Sequence, residues 1–257
     1  LFSCSPVKFV PEDRYLLNKV DVEVDKSKIS KEEAKSHIRQ KENYKILGFA
    51  KFYLWLYNLS PKKKTEGWLK RIGEPPVLYD ETLIAASEDR LEQFLDNRGY
   101  FRASVNTEVE IKEKRQKANV RFIINAGEQY RVDEINYHIN DSALHNLFLK
   151  DSVKNFIQPG TPFDFNLLEN QRRQIVDLYR NNGYYFFNKD NVRYIADSTQ
   201  TSERIKLDLY IGNAAGRDST HKFEQQYLND FTISILSGDA ASNSLNNETE
   251  FADTVIT

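Results

Sequence analysis

The chain contains one structural phrase twice. Asp80, Leu83, Gly99 and Tyr100 recur as Asp164, Leu167, Gly183 and Tyr184, each displaced by 84 positions without a gap. A second set, Val120, Phe122, Ile124 and Gly127, returns as Ile205, Leu207, Leu209 and Gly212, displaced by 85. Such a repeat limits the fold more than any single motif, because each copy must present the same helices and strands to its own core.

Local patterns fill in the unit. Val20, Val22 and Val24 alternate with Asp21, Glu23 and Asp25, the period of a strand with one buried face. Ser30 with Glu33 predicts a capping box and a helix to about Arg39. Asp80 then caps a helix with the stripe Leu83, Ile84, Leu91, Phe94 and Leu95, stopped by Gly99 in the left-handed conformation. Asp164 repeats the device with Leu167, Leu168, Ile175, Leu178 and Tyr179, ending at Gly183. Two strands follow each helix: Ala103 to Ile111 with Val120 to Ile124 in the first copy, and Val192 to Tyr194 with Ile205 to Ile211 in the second. The order is strand, helix, helix, strand, strand, an α+β unit.

Val20 to Gly99 spans 79 positions where the matching Ile135 to Gly183 spans 48, so about thirty residues are inserted in the first copy. The predicted organisation is a tether at 1–14, a first module at 15–131 with its insertion at about 44–73, a second module at 132–216, and a linker at 217–257. This last stretch includes the opening strand of an incomplete third module, Phe231 to Ile235, preceded by Tyr227 as the second is by Tyr130.

Thirty-six basic and 38 acidic side chains leave a formal charge of -2, which gives no field for gathering nucleic acid. The absence of methionine suggests a processed product or a segment of a longer frame. The single cysteine, Cys4, excludes an intrachain disulfide. Leu1-Phe2-Ser3-Cys4 resembles the end of a bacterial lipoprotein signal, which implies that Cys4 is lipidated and the chain anchored to the outer membrane on its periplasmic side. No run of eighteen apolar residues occurs, so no transmembrane helix is expected.

Asn97-Arg98-Gly99-Tyr100-Phe101 and Asn182-Gly183-Tyr184-Tyr185-Phe186, with the connector Ile124-Asn125-Ala126-Gly127-Glu128-Gln129-Tyr130-Arg131-Val132, resemble the POTRA repeats that precede the barrel in the BamA and TamA outer-membrane assembly family. Cys4 and the aromatic insertion make the chain most similar to the lipoprotein branch of the Bacteroidota, TamL, although no barrel is present. The resemblance implies two helices on one face of a three-stranded mixed sheet, with the second strand exposed at an edge. It also implies a periplasmic arm that binds unfolded outer-membrane protein strands by β-augmentation and docks a TamB-like partner. A stand-alone scaffold in secretion, division or envelope organisation is the alternative.

The expected edges carry Val105, Thr107, Val109 and Ile111 in the first copy and Val192 and Tyr194 in the second. The competing view treats Glu108, Glu110 and Lys112 as ordinary charged edge protection. The insertion holds six lysines and Arg71 against Glu66 among many aromatic residues. Phe52, Trp55, Lys62, Lys63, Lys64 and Trp68 are therefore candidates for a surface meeting headgroups or a partner, or else for a helix packed on its own module. His37, His138, His145 and His221 lack metal-ligand spacing, and no phosphate loop or nucleophile elbow is visible, so neither cofactor nor enzymatic activity is expected.

Overall fold

Strand β1 (Leu16–Val24) opens the first module, and its alternate side chains Val20 and Val22 are buried. The computed structural model describes residues 5–25, 28–47, 50–61, 67–151, 156–198, 202–213 and 223–230. Helix α1 (Lys31–Ser36) begins where Ser30 Oγ accepts the Glu33 amide, and it ends three residues short of the predicted Arg39. Helices α2 (Phe52–Leu59) and α3 (Trp68–Ile72) make up the insertion. Helix α4 (Glu81–Asn97), strand β2 (Ser104–Lys112) and strand β3 (Lys117–Asn125) complete the module.

The second module runs β4 (Arg131–Ile139), α5 (Ser142–Lys150), α6 (Phe165–Asn181), β5 (Val192–Asp197) and β6 (Arg204–Ile211). Each module builds a three-stranded mixed sheet, in the order β1-β3-β2 and β4-β6-β5. The last strand lies in the middle, parallel to the first and antiparallel to the second. Its inward residues are among the most deeply buried: Val120, Phe122 and Ile124 in β3, and Ile205, Leu207 and Leu209 in β6. The outward row of β3 includes Asn119 and Arg121, so this sheet has one dry face and one polar face, as antiparallel pairing permits.

Both long helices end alike. Gly99 and Gly183 have φ of 79° and 88°. Tyr100 N–H donates to the Leu95 carbonyl and Tyr184 N–H to the Tyr179 carbonyl, the outer bond of a Schellman turn. The repeat also contains a polar position that hydrophobic periodicity does not reveal. Buried Ser87 accepts the Arg39 amide, and its counterpart Gln171, 84 residues on, accepts the Tyr194 hydroxyl.

Strand pairing corrects the second repeat set. Val105 faces Ile124 in one module and Val192 faces Ile211 in the other, so β3 maps onto β6 with a displacement of 87, not 85. A two-residue slip keeps the same side chains inward, which is why the pattern alone did not detect it.

Ser5–Arg14 is not a free tether. Val10 joins Leu16 and Leu54 in a satellite core, Lys8 Nζ donates to the carbonyls of Asn58 and Ser60, and Phe9 packs edge-on against Tyr57. The apolar residues of this segment provide the cover that α2 needs for its buried face.

Residues 1–225 form one compact unit and 226–257 a second. Of the latter, residues 226–230 are described and are exposed, irregular chain. The expected third-module strand, Phe231 to Ile235, lies outside the described residues, as do Cys4, Lys62, Lys63, Lys64 and His221.

Candidate interaction surfaces

The second strand of each module stands at a sheet edge. β2 pairs with β3 over its whole length, and among the described residues no strand covers its other side; β5 stands likewise beside β6. The edges differ in what their side chains offer. Val105 is buried and Thr107 Oγ1 donates to Glu88 on α4, whereas Val109 and Ile111 are exposed. Glu108 reaches Arg121 across the ladder, and Glu110 is held by Asn119 and Lys112, which keep its carboxyl below the usual range. In β5, Val192 is buried and the Tyr194 ring turns toward α6, with burial raising its hydroxyl well above the ordinary tyrosine range. Val192 and Tyr194 are thus turned inward, and the large apolar side chain that β5 leaves exposed is Ile195.

The insertion is two-sided. Leu54 and Asn58 face the protein, while Phe52 and Trp55, one turn apart, stack outward with ring centroids 5.7 Å apart. Trp55 is 46% exposed and Trp68 67%. α3 buries no residue, but it is tied to α2 where Gly73 lies against the Tyr57 backbone, and Lys70 Nζ sits 5.0 Å from the Phe9 ring centroid. Lys70, one of the six lysines of the insertion, is thus engaged by aromatic rings.

Lys51 is half-buried and donates to the Asn18 carbonyl at 2.6 Å. Burial, followed by repulsion from Lys45, pulls its ammonium down to about 8, against opposing attraction from Glu42 and Glu74. The unfolded chain keeps this proton until the ordinary lysine range near 10.4, so between those limits the unfolded state binds more protons and stability rises with pH. Above about pH 10 the buried tyrosines Tyr179 and Tyr194 act oppositely, because the unfolded chain ionises first. Urea midpoints should therefore increase from pH 7.5 to about 9.5, and Lys51→Met should flatten that rise.

The modules meet at the Gly-Tyr corner, a contact sequence reasoning did not identify. Tyr130 N–H donates to the Gly99 carbonyl, and Gln129 Nε2 donates to the Arg98 carbonyl. Arg98 bridges Asp164 at 3.2 Å and Glu33 at 3.5 Å. Phe101 packs against Tyr130 and Phe163. Asp164 thus caps α6 and helps fix the junction.

The histidines within reach are structural: His37 stacks on Phe94, and His138 lies 2.7 Å from Asp208 and stacks on Tyr210. Among the described residues no three His, Cys, Asp or Glu side chains converge on a metal position, and no helix is long and apolar enough to cross a membrane.

Two such sheets in series, each backed by its helix pair, define a tandem α+β repeat protein. Residues 15–127 match the POTRA family model, described as a surface antigen variable number repeat. Among solved structures, the chain is similar to BamA from Haemophilus ducreyi lacking POTRA domains 1–3, at 16% identity over 77% of this chain and 29% of that one, with a TM-score of 0.39. It is also similar to POTRA1–2 of the periplasmic domain of Omp85 from Anabaena, at 14% identity over 79% and 99% of the two chains, TM-score 0.34. CdiB from Escherichia coli matches at 11% identity over 79% of this chain and 28% of its own, TM-score 0.31. The chain thus spans less than a third of the BamA and CdiB chains it resembles. No curated protein matches it by sequence.

Proposed function

We propose that the chain is a periplasmic POTRA arm of an outer-membrane biogenesis factor, which captures extended segments of unfolded outer-membrane proteins by β-augmentation. The observation that carries this reading is the sheet order, which puts β2 and β5 at the borders of their sheets in both copies of the repeat. Each backbone bond formed with a guest contributes about 0.5–1.5 kcal/mol net, set against the guest's ordering entropy. Capture is therefore weak, reversible and tolerant of sequence, which suits a relay. In this reading Cys4 carries a lipid anchor, as in the TamL branch, and the outward face of the insertion, with Phe52, Trp55 and Trp68, docks against headgroups or a TamB-like periplasmic partner, to which the charges of Lys62, Lys63 and Lys64 contribute.

Proline scanning of β2 tests the capture. Adjacent edge residues point their amides in opposite directions, one into the ladder and one outward. Asn106→Pro and Thr107→Pro should therefore separate: one lowers the unfolding midpoint by breaking the β2–β3 ladder, and the other leaves the fold intact but abolishes photocrosslinking to an unfolded outer-membrane protein. If the well-folded variant crosslinks as wild type does, β2 is a solvated edge protected by its charges. Vesicle flotation of Trp55→Ser and Cys4→Ala variants of the full chain separates the aromatic contribution to membrane binding from that of the anchor.

A further inference from the structure

Helix α2 contains no charged residue. Its one amide side chain, Asn58, is buried, while Phe52, Trp55 and Leu59, spaced along one helical stripe, are exposed. On α3, Trp68 and Ile72 stand one turn apart and are exposed as well, with Arg71 beside them in sequence. Both tryptophans of the chain therefore lie in the insertion and face outward. A solvated helix face carries charge, so a stripe of this kind marks contact with another phase or another molecule.

Charge selects between them. Positions 44–73 hold six lysines and Arg71 against Glu66, a net +6; the whole chain is at -2, which leaves -8 on all the other residues together. An anionic surface attracts the insertion and repels the remainder, so it orients the chain as well as binding it. Tryptophan flanked by lysine and arginine suits the headgroup layer, where the apolar ring is buried and its N–H still meets a polar partner. Lys62, Lys63 and Lys64 lie outside the described residues and enter only as charge, whereas Arg71 is described and exposed.

The start of the chain is held at the same place. Asn58 Nδ2 donates to the Pro6 carbonyl at 3.2 Å, and Lys8 Nζ donates to the carbonyls of Asn58 and Ser60, each at 2.8 Å. Cys4 precedes Pro6 by two residues, about 7 Å of extended chain. An acyl group on Cys4 would thus enter a bilayer beside the C-terminal end of α2. Leu54, on the buried side of that helix, packs with Leu16 of β1, so α2 carries the first sheet with it.

We propose that the exposed stripe of α2, Phe52, Trp55 and Leu59, with Trp68 and Ile72 on α3, is an interfacial surface for anionic phospholipid. With a lipid on Cys4 it grips the bilayer at two neighbouring points, which holds module one in a single orientation on the membrane. The grip at Cys4 rests on the anchor reading above; the lipid-binding face stands without it.

The two tryptophans make the test direct. The full chain carrying Cys4→Ala, which no acyl group can hold, is mixed with vesicles of phosphatidylcholine brominated on its acyl chains, with or without phosphatidylglycerol, and tryptophan fluorescence is read. Quenching is expected with the anionic vesicles, is much weaker with the zwitterionic ones, and is reversed by salt. Trp68→Phe and Trp55→Phe, each leaving one tryptophan, should both be quenched, and Arg71→Gln should weaken vesicle binding about fivefold. No quenching by anionic vesicles, or quenching in Trp55→Phe but not in Trp68→Phe, overturns the α2 face and leaves the stripe to a protein partner. An acylated wild-type chain that floats with vesicles while its tryptophans stay unquenched keeps the anchor and removes the face. Quenching of Cys4→Ala, with no acyl group on wild-type Cys4 by mass spectrometry, keeps the face and overturns the two-point grip. Strand capture is read separately, by crosslinking at β2.

Discussion

Alanine in place of Gly99 should destabilise the protein far more than alanine in place of Gly127, although both glycines have positive φ, 79° and 67°. A side chain in the left-handed region costs about 1–2 kcal/mol at either site. At Gly127 nothing lies within 4 Å of the added carbon, whereas at Gly99 it would stand 2.7 Å from the Phe163 carbonyl oxygen. That neighbour is backbone, and it belongs to the turn that leads into the Asp164 cap. The clash is relieved only by moving the corner of α4 away from module two, which pulls Phe101 off Tyr130 and Phe163 and lengthens the Arg98–Asp164 pair. Urea unfolding should show the larger loss for Gly99→Ala, and small-angle scattering should show a changed distance between modules for that variant alone. Equal losses with unchanged scattering would mean that the close approach does not hold the junction.

Leu54→Ala and Trp55→Ala, neighbours on one helix, should give opposite results. Leu54 is 1% exposed and packs with Val10 and Leu16, so truncation should cost about 2–5 kcal/mol. Trp55 is half exposed and stacks on the equally outward Phe52, so its loss should change stability by less than about 1 kcal/mol. Because Leu54 supports the segment from Ser5 to Arg14, Leu54→Ala should also open that segment to proteolysis. Measured by denaturation and limited digestion, a large destabilisation by Trp55→Ala would move that residue from docking surface to core.

The sequence determined the parts whose causes lie within a few residues of one another. Asp80 and Asp164 accept amides two residues on, as N-caps do, and Gly99 and Gly183 close their helices in the left-handed turn that glycine adopts at least cost. Ile84, Leu91, Phe94 and Leu95 were legible as a stripe because helical spacing puts them on one face; Leu83, at the first turn, is partly exposed instead. For the candidate site, the sequence marked Val105 to Ile111 as a strand but did not show that Val109 and Ile111 are left exposed while Val105 is buried, or that Tyr194 turns its hydroxyl inward to Gln171.

Tertiary structure decided everything that depended on which distant chain lay alongside. The displacement of 87 between β3 and β6 is invisible to a pattern of period two, since a slip of two leaves every side chain on its own face. Nothing local to Glu42 or Lys51 marks them as partners of the β1 backbone, because a charged side chain reads as solvated until the fold brings an unpaired amide or carbonyl to it. Caps and stripes are set by the chain's own covalent neighbours, whereas borders and junctions arise only when segments far apart in sequence come together.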